Sequence, residues 1–151
     1  MTMMVLAIRL YDVGLRDDAA FWFYAARERY RTLEAVLDTS SPELASVPET
    51  MNGFIQLAGP YINGYLFCDL HGYIPLWTRA VDWTEEHPYG ALRLPSLKAH
   101  PGDRDANLKR AIAARRTQVR EAAAHIEDPA SRDEIRRQRQ ENGADGRYCW
   151  K

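Results

Sequence analysis

Apolar side chains recur at three- and four-residue spacing along most of this chain, and no strand-like alternation runs longer than four residues. That period predicts amphipathic helices, each with one stripe to bury, and so an all-α fold. Met3, Leu6, Ala7 and Leu10 share a face of a first helix, which Gly14 stops. Asp17 and Asp18 open a second, where carboxylates suit the positive end of the helix dipole. Its stripe is Ala19, Trp22, Phe23, Ala26, Tyr30, Leu33 and Leu37. Ser41–Pro42 predicts a short helix, ended by a new start at Pro48. A longer helix is expected from about Glu49 to Leu70, bent at Gly59–Pro60, with His71–Gly72 as the turn. Tyr73–Glu86 resumes, burying Leu76, Trp77, Ala80, Val81 and Trp83. Arg104–Glu127 and Ala130–Glu141 follow; Asp128–Pro129 ends the first and caps the second, where Ser131 and Glu134 fit a capping box.

Three prolines between Glu86 and Gly102 exclude a continuous helix there and mark a connector. The chain therefore reads as one domain with four stretches: aromatic-rich hairpins over 1–87, the connector 88–103, an Ala/Arg-rich pair over 104–141, and a tail 142–151. Its 151 residues suffice for a core that buries about 68–70% of the unfolded surface. The tail ends in Tyr148, Cys149, Trp150 and Lys151, and aromatic side chains there are expected to dock back or meet a partner. The expected architecture is a compact bundle of about six helices in hairpins.

The spacing of Leu6, Ala7, Gly14, Ala19, Phe23 and Ala26 resembles a tetratricopeptide or Sel1-like helical hairpin, over Met3 to Arg31. Small residues at Ala7, Ala19 and Ala26 would let the two helices approach closely while Phe23 fills the groove between neighbours. The first helix has Met3 where that family carries an aromatic, and Arg31 stands in place of the closing proline. The resemblance implies protein or peptide binding rather than chemistry.

Few residues could carry chemistry. Asp69 and His71, with Glu85, Glu86 and His87 beyond the next helix, are suitable metal ligands or acid–base groups. A helix between the two histidines would hold them roughly 20 Å apart at 1.5 Å per residue, which argues against a shared metal. Capping of helix ends is the expected role. No phosphate loop, nucleophile elbow or dinucleotide fingerprint occurs, so neither catalytic residue, metal nor cofactor is expected. Cys68 and Cys149, 81 positions apart, read as two independent reduced thiols and point to the cytoplasm, with one long-range bridge as the alternative.

Charge is divided unevenly: residues 1–100 hold 8 basic and 12 acidic side chains, residues 101–151 hold 12 and 9. The net charge of −1 excludes nucleic-acid binding that relies on overall positive charge. Arg132, Arg136 and Arg139 share a helix face, yet acidic residues interleave with them, and a solvated face is the expected reading. A hydrophobic stretch from Thr50 to Cys68 is too polar for a membrane span. The surplus of tyrosine suggests contact anchors. The expectation is a non-catalytic protein-binding module contacting its partner through Asp69, His71, Tyr73, Glu85, Glu86, Tyr61 and Tyr65. By analogy it resembles a small bacterial immunity protein that covers the basic cleft of a toxin. The alternatives are a tetratricopeptide-like adaptor and a nucleic-acid-associated regulator using the arginine face.

Overall fold

A computed structural model describes residues 2–149. Among them are α1 (Thr2–Asp12), α2 (Arg16–Val36), α3 (Ser46–Leu66), α4 (Leu70–Glu86), a 3₁₀ turn (Gly90–Arg93), α5 (Arg104–Glu127), α6 (Pro129–Glu141) and α7 (Ala144–Tyr148). The fold is all-α; one isolated bridge, Leu37 to Ala99, is its sole extended pairing among the described residues.

The bundle is built around α2, which packs against α1, α3, α4 and α5. A helix with neighbours on every side must bury more than one stripe. Accordingly Tyr24, Ala25, Glu28 and Thr32 are buried alongside Ala19, Phe23 and Ala26, while Trp22 is half-buried. Trp22 instead joins Phe21 and Trp83 in a set of edge-to-face rings 5.1–6.4 Å apart. Leu76 and Trp83, expected in the core, are likewise half-buried. The α1–α2 turn holds Gly14 at φ +86°, a conformation that glycine takes at no steric cost. Ala7, Ala19 and Ala26 are at most 1% exposed. Ala26→Trp is therefore expected to lose about 1–3 kcal/mol or more through overpacking. Urea unfolding that matches the parent would show that these helices are not in close contact.

The structure corrects several boundaries. Residues 41–45 form turns rather than a short helix, and α3 begins at Ser46 with Pro48 in its first turn, where no donor is required. It runs as helix through Gly59–Pro60. The α3–α4 turn falls at residues 67–69, not at His71–Gly72, because Asp69 caps α4 by accepting the His71 N–H at 3.0 Å. Asp128 caps α6 as expected, while Ser131 does not act as the cap of a box: the Asp128 carboxylate accepts the Ser131 N–H and hydroxyl at 2.8 and 2.7 Å, which holds it below the usual carboxylate range.

The connector is pinned as a strap. Arg104 donates to the carbonyls of Leu92, Leu94 and Leu97 at 2.8, 2.9 and 2.5 Å, so one guanidinium satisfies three backbone groups that prolines leave without helical partners. His100 and Asp38 N–H groups bond to Val36 and Lys98 carbonyls across the strap. The Lys98 ammonium, 2.8 Å away, and Ser40 hold the Asp38 carboxyl well below its usual range. Leu92 closes a second small core with Leu33, Val36, Leu37 and Leu44.

Tyr30, 3% exposed, donates its hydroxyl to Glu34 at 2.6 Å, and burial followed by that carboxylate raises its pKa to about 12. Burial pushes Tyr24 and Tyr73 up as well. A raised folded-state value means the folded form keeps protons that the unfolded chain releases. This stability is complete below the unfolded tyrosine value, about 10, and is lost as pH rises. The urea midpoint is expected to fall between pH 10 and about 12, less steeply in Tyr30→Phe. A flat midpoint across that window would contradict the buried hydroxyls.

Candidate binding surface

Two neighbouring surfaces stand out, one at the α1–α3 face and one at the α3–α4 corner. On α3, Leu57 and Tyr61 project into solvent at 63% and 53% exposure. With Ile8, Tyr11, Ala58 and Ile62 they line an apolar cavity of about 280 Å³ edged by Asp12. Val5, Leu6, Val13 and Leu15 are also exposed on α1 and its turn; Leu6 leaves the expected buried stripe, which runs instead through Met4 and Ala7. Tyr61 also meets the rings of Tyr11 and Tyr148 edge-on at 6.3 and 6.2 Å.

One turn further along α3, Tyr65 donates its hydroxyl to Asp17 at 2.8 Å and leads to the corner. There Asp17, Tyr65, Asp69, Pro75 and Arg79 line a groove of about 810 Å³. Burial, then the Asp17 carboxylate, raises the Tyr65 pKa. On the other side of the corner, Asp69 and His71 face Arg132, Arg136 and Arg139 of α6 across a cavity of about 350 Å³.

The seven residues expected at one contact do not form one patch. Tyr61 and Tyr65 lie on α3, Asp69 in the turn that follows, and His71 in the first turn of α4. Tyr73 is 9% exposed and packs inward against Phe67, Tyr24 and Trp77 at 5.0–5.8 Å, so it is a core residue and no surface anchor. Its spacing of four and seven residues from Trp77 and Ala80 puts it on the buried face of α4, which meets α2. Glu85 and Glu86 stand at the opposite end of α4, about 24 Å from Asp69 by helical rise. Glu85 is engaged with Arg116 at 2.6 Å, which also reaches Asp82 at 2.8 Å. Among the described residues, no three His, Cys, Asp or Glu side chains converge as a metal site requires.

Cys68 and Cys149 are bonded to one another, contrary to the expectation of independent thiols. The reason is the tail. Gly143, at φ +67°, reverses the chain after α6, and α7 packs back on α3. Tyr148 lies over Gly64 so closely that a Cβ at Gly64 would sit 2.5 Å from its ring, and this seating places Cys149 beside Cys68. Arg139 was read as part of a solvated face, yet its side chain is only 11% exposed. It donates through Nε to Asp145 at 2.7 Å and through Nη2 to the Gly64 carbonyl at 3.1 Å. Nη2 also meets both bridge sulfurs, at 3.0 Å from Cys149 and 3.4 Å from Cys68. The aromatic chain end was the sequence signal for a docked tail; Trp150 and Lys151 lie outside the described residues.

Several arginines of the C-terminal third are held in ion pairs. Arg115 pairs with Glu28, Arg116 with Asp82 and Glu85, Arg137 with Glu134 and Glu141, and Arg139 with Asp145. Among the described residues no helix is long and apolar enough to cross a membrane.

Over 150 residues the chain is 35% identical to an uncharacterized protein of Haemophilus influenzae, an alignment covering 99% of this chain and 58% of that protein. It thus spans less than two thirds of that relative's length. No family model matches the chain. No solved structure matches it either.

Proposed function

We propose that this chain is a non-catalytic protein-binding module whose contact face is the exposed apolar surface of α1 and α3. The observation that carries the reading is the exposure of Leu57 and Tyr61, 63% and 53%, where they line an apolar cavity between α1 and α3. A contiguous apolar surface costs free energy in water unless something covers it. The fitting occupant is a protein partner that presents apolar side chains ringed by lysine or arginine. Asp12, Asp17, Asp18 and Asp69, all exposed around the α1–α2 turn and the corner, supply the complementary charge. Within that class, an immunity-type role, in which the acidic and aromatic face covers the basic cleft of a toxin, is the specific proposal. The disulfide favours an oxidising compartment over the cytoplasm expected from cysteine spacing.

The test is capture from the native host with the parent and with Leu57→Asp and Tyr61→Ala. A partner retained by the parent and lost by both variants supports the face. A partner held equally by all three places the contact elsewhere, and no partner at micromolar parent concentration overturns the binding role. If the captured partner has a toxic activity that the parent neutralises, the immunity reading stands. A harmless partner leaves a peptide-binding adaptor.

A further inference from the structure

The Cys68–Cys149 bridge lies between two cavities, and Cys68, itself exposed, lines both, whereas Cys149 lines only the larger. From the smaller cavity a nucleophile therefore reaches Cys68, with Cys149 as the sulfur displaced. That cavity carries three guanidinium groups, from Arg132, Arg136 and Arg139, against the carboxylates of Asp69 and Asp145. Asp145 is ion-paired with Arg139, and Asp69 accepts the His71 N–H but keeps its charge, so the guanidiniums outnumber the carboxylates by one. Arg136 makes a long exposed contact of 3.5 Å with Asp133. Arg132, half-buried, brings a further guanidinium to the same cavity wall. The cavity thus offers donors to a carboxylate beside an accessible disulfide sulfur.

Arg139 bears on the other half of the reaction. Its Nη2 is 3.0 Å from Cys149 Sγ, where negative charge appears as the bridge opens. Exchange is faster when the departing thiolate is stabilised. Asp145 lies 3.5 Å from the same sulfur and partly offsets the guanidinium.

We propose that this bridge is a stoichiometric thiol-exchange site for small thiols that carry carboxylates. The thiolate attacks Cys68 Sγ, a new sulfur–sulfur bond forms there, and the Cys68–Cys149 bond breaks with its electron pair leaving on Cys149 beside Arg139. A second thiolate then attacks the small molecule's sulfur in the mixed disulfide. This releases the oxidised small disulfide and leaves Cys68 reduced, so two thiols supply the two electrons. Opening the bridge frees the tail that α7 docks on α3.

The test compares reduced glutathione, an anionic thiol, with cysteamine, a cationic one, on the full chain, with rates expressed per thiolate. Trapped mixed disulfides are mapped by mass spectrometry. The expected result is a preference of roughly fivefold to tenfold for glutathione, diminished at high salt, with the adduct on Cys68. In Arg132→Ala/Arg136→Ala the preference for glutathione should fall to near unity. Arg139→Lys should slow both thiols, and Asp145→Asn, which leaves the guanidinium uncompensated, should speed both. Equal rates for the two thiols in the parent, an adduct on Cys149, or a preference that survives loss of both arginines would overturn the proposal. Slower opening in Asp145→Asn would overturn the role of Arg139.

Discussion

Glu28→Ala is expected to destabilise the protein by about 3–5 kcal/mol, because it strips the partner from a buried charge. Glu28 is fully buried at the centre of α2. Its Oε1 accepts from Trp77 Nε1 at 2.8 Å and from Arg115 Nη2 at 2.9 Å, and its Oε2 accepts from Arg115 Nε at 2.5 Å. The carboxylate thereby ties α2 to α4 and α5 at one point. Truncation leaves the Arg115 guanidinium, whose side chain is 14% exposed, and the Trp77 N–H without that acceptor. Replacing both members, Glu28→Leu with Arg115→Leu, should recover most of the loss, since a buried ion pair exchanged for apolar side chains is often near neutral. The Trp77 N–H would remain orphaned, at about 1–3 kcal/mol. Urea unfolding of the parent, the single variant and the double variant measures this directly. A single variant within about 0.5 kcal/mol of the parent, the range of ordinary surface changes, would mean that water reaches the pair and that it does not anchor the three helices.

This carboxylate also shows where the sequence stops being readable. A lone glutamate on a helix with an apolar stripe is indistinguishable from a solvated one until the number of neighbours is known. The α1–α2 hairpin and the span of α5 were legible, because Gly14, the acidic first turn of α2 and the period of Leu108, Ile112 and Val119 are local signals. That α2 is enclosed by four helices is a tertiary fact, and it is what buries Tyr24 and Glu28 off the expected stripe. The same holds for the strap: prolines declared the absence of helix, while Arg104 supplies its order from outside the segment. For the proposed contact, Tyr61, Tyr65, Asp69 and His71 are nominated by composition near a turn. Tyr73 precedes Trp77 and Ala80 by four and seven residues, so the helical period places it on their buried face, whereas composition marks it as a surface anchor. The seating of the tail depends on Gly64 and Tyr148, 84 positions apart, and no periodicity links them.

Substituting both Cys68 and Cys149 by serine is expected to cost about 2–4 kcal/mol of global stability. The bridge joins residues 81 positions apart, and closing a loop of that length in the unfolded chain is worth about 4.5 kcal/mol in the chain-entropy treatment. The measured loss should fall below that ceiling, because the native state also relaxes locally. α7 has five residues and cannot persist as a helix unless it is docked. Arg139 is the buried residue of α6, and it is held there by the tail and by Gly64. Without the bridge, α6 and α7 should therefore open together, ahead of the α2-centred core. Amide hydrogen exchange would show this as lost protection over residues 129–149 with protection retained in α2, α4 and α5. Uniform loss across all helices would instead make the tail part of the main cooperative unit. Full protection of α7 in the serine variant would mean that the packing of Tyr148 on Gly64 and the Arg139–Asp145 pair are enough to seat the tail, and that the bridge only records a proximity the fold already imposes.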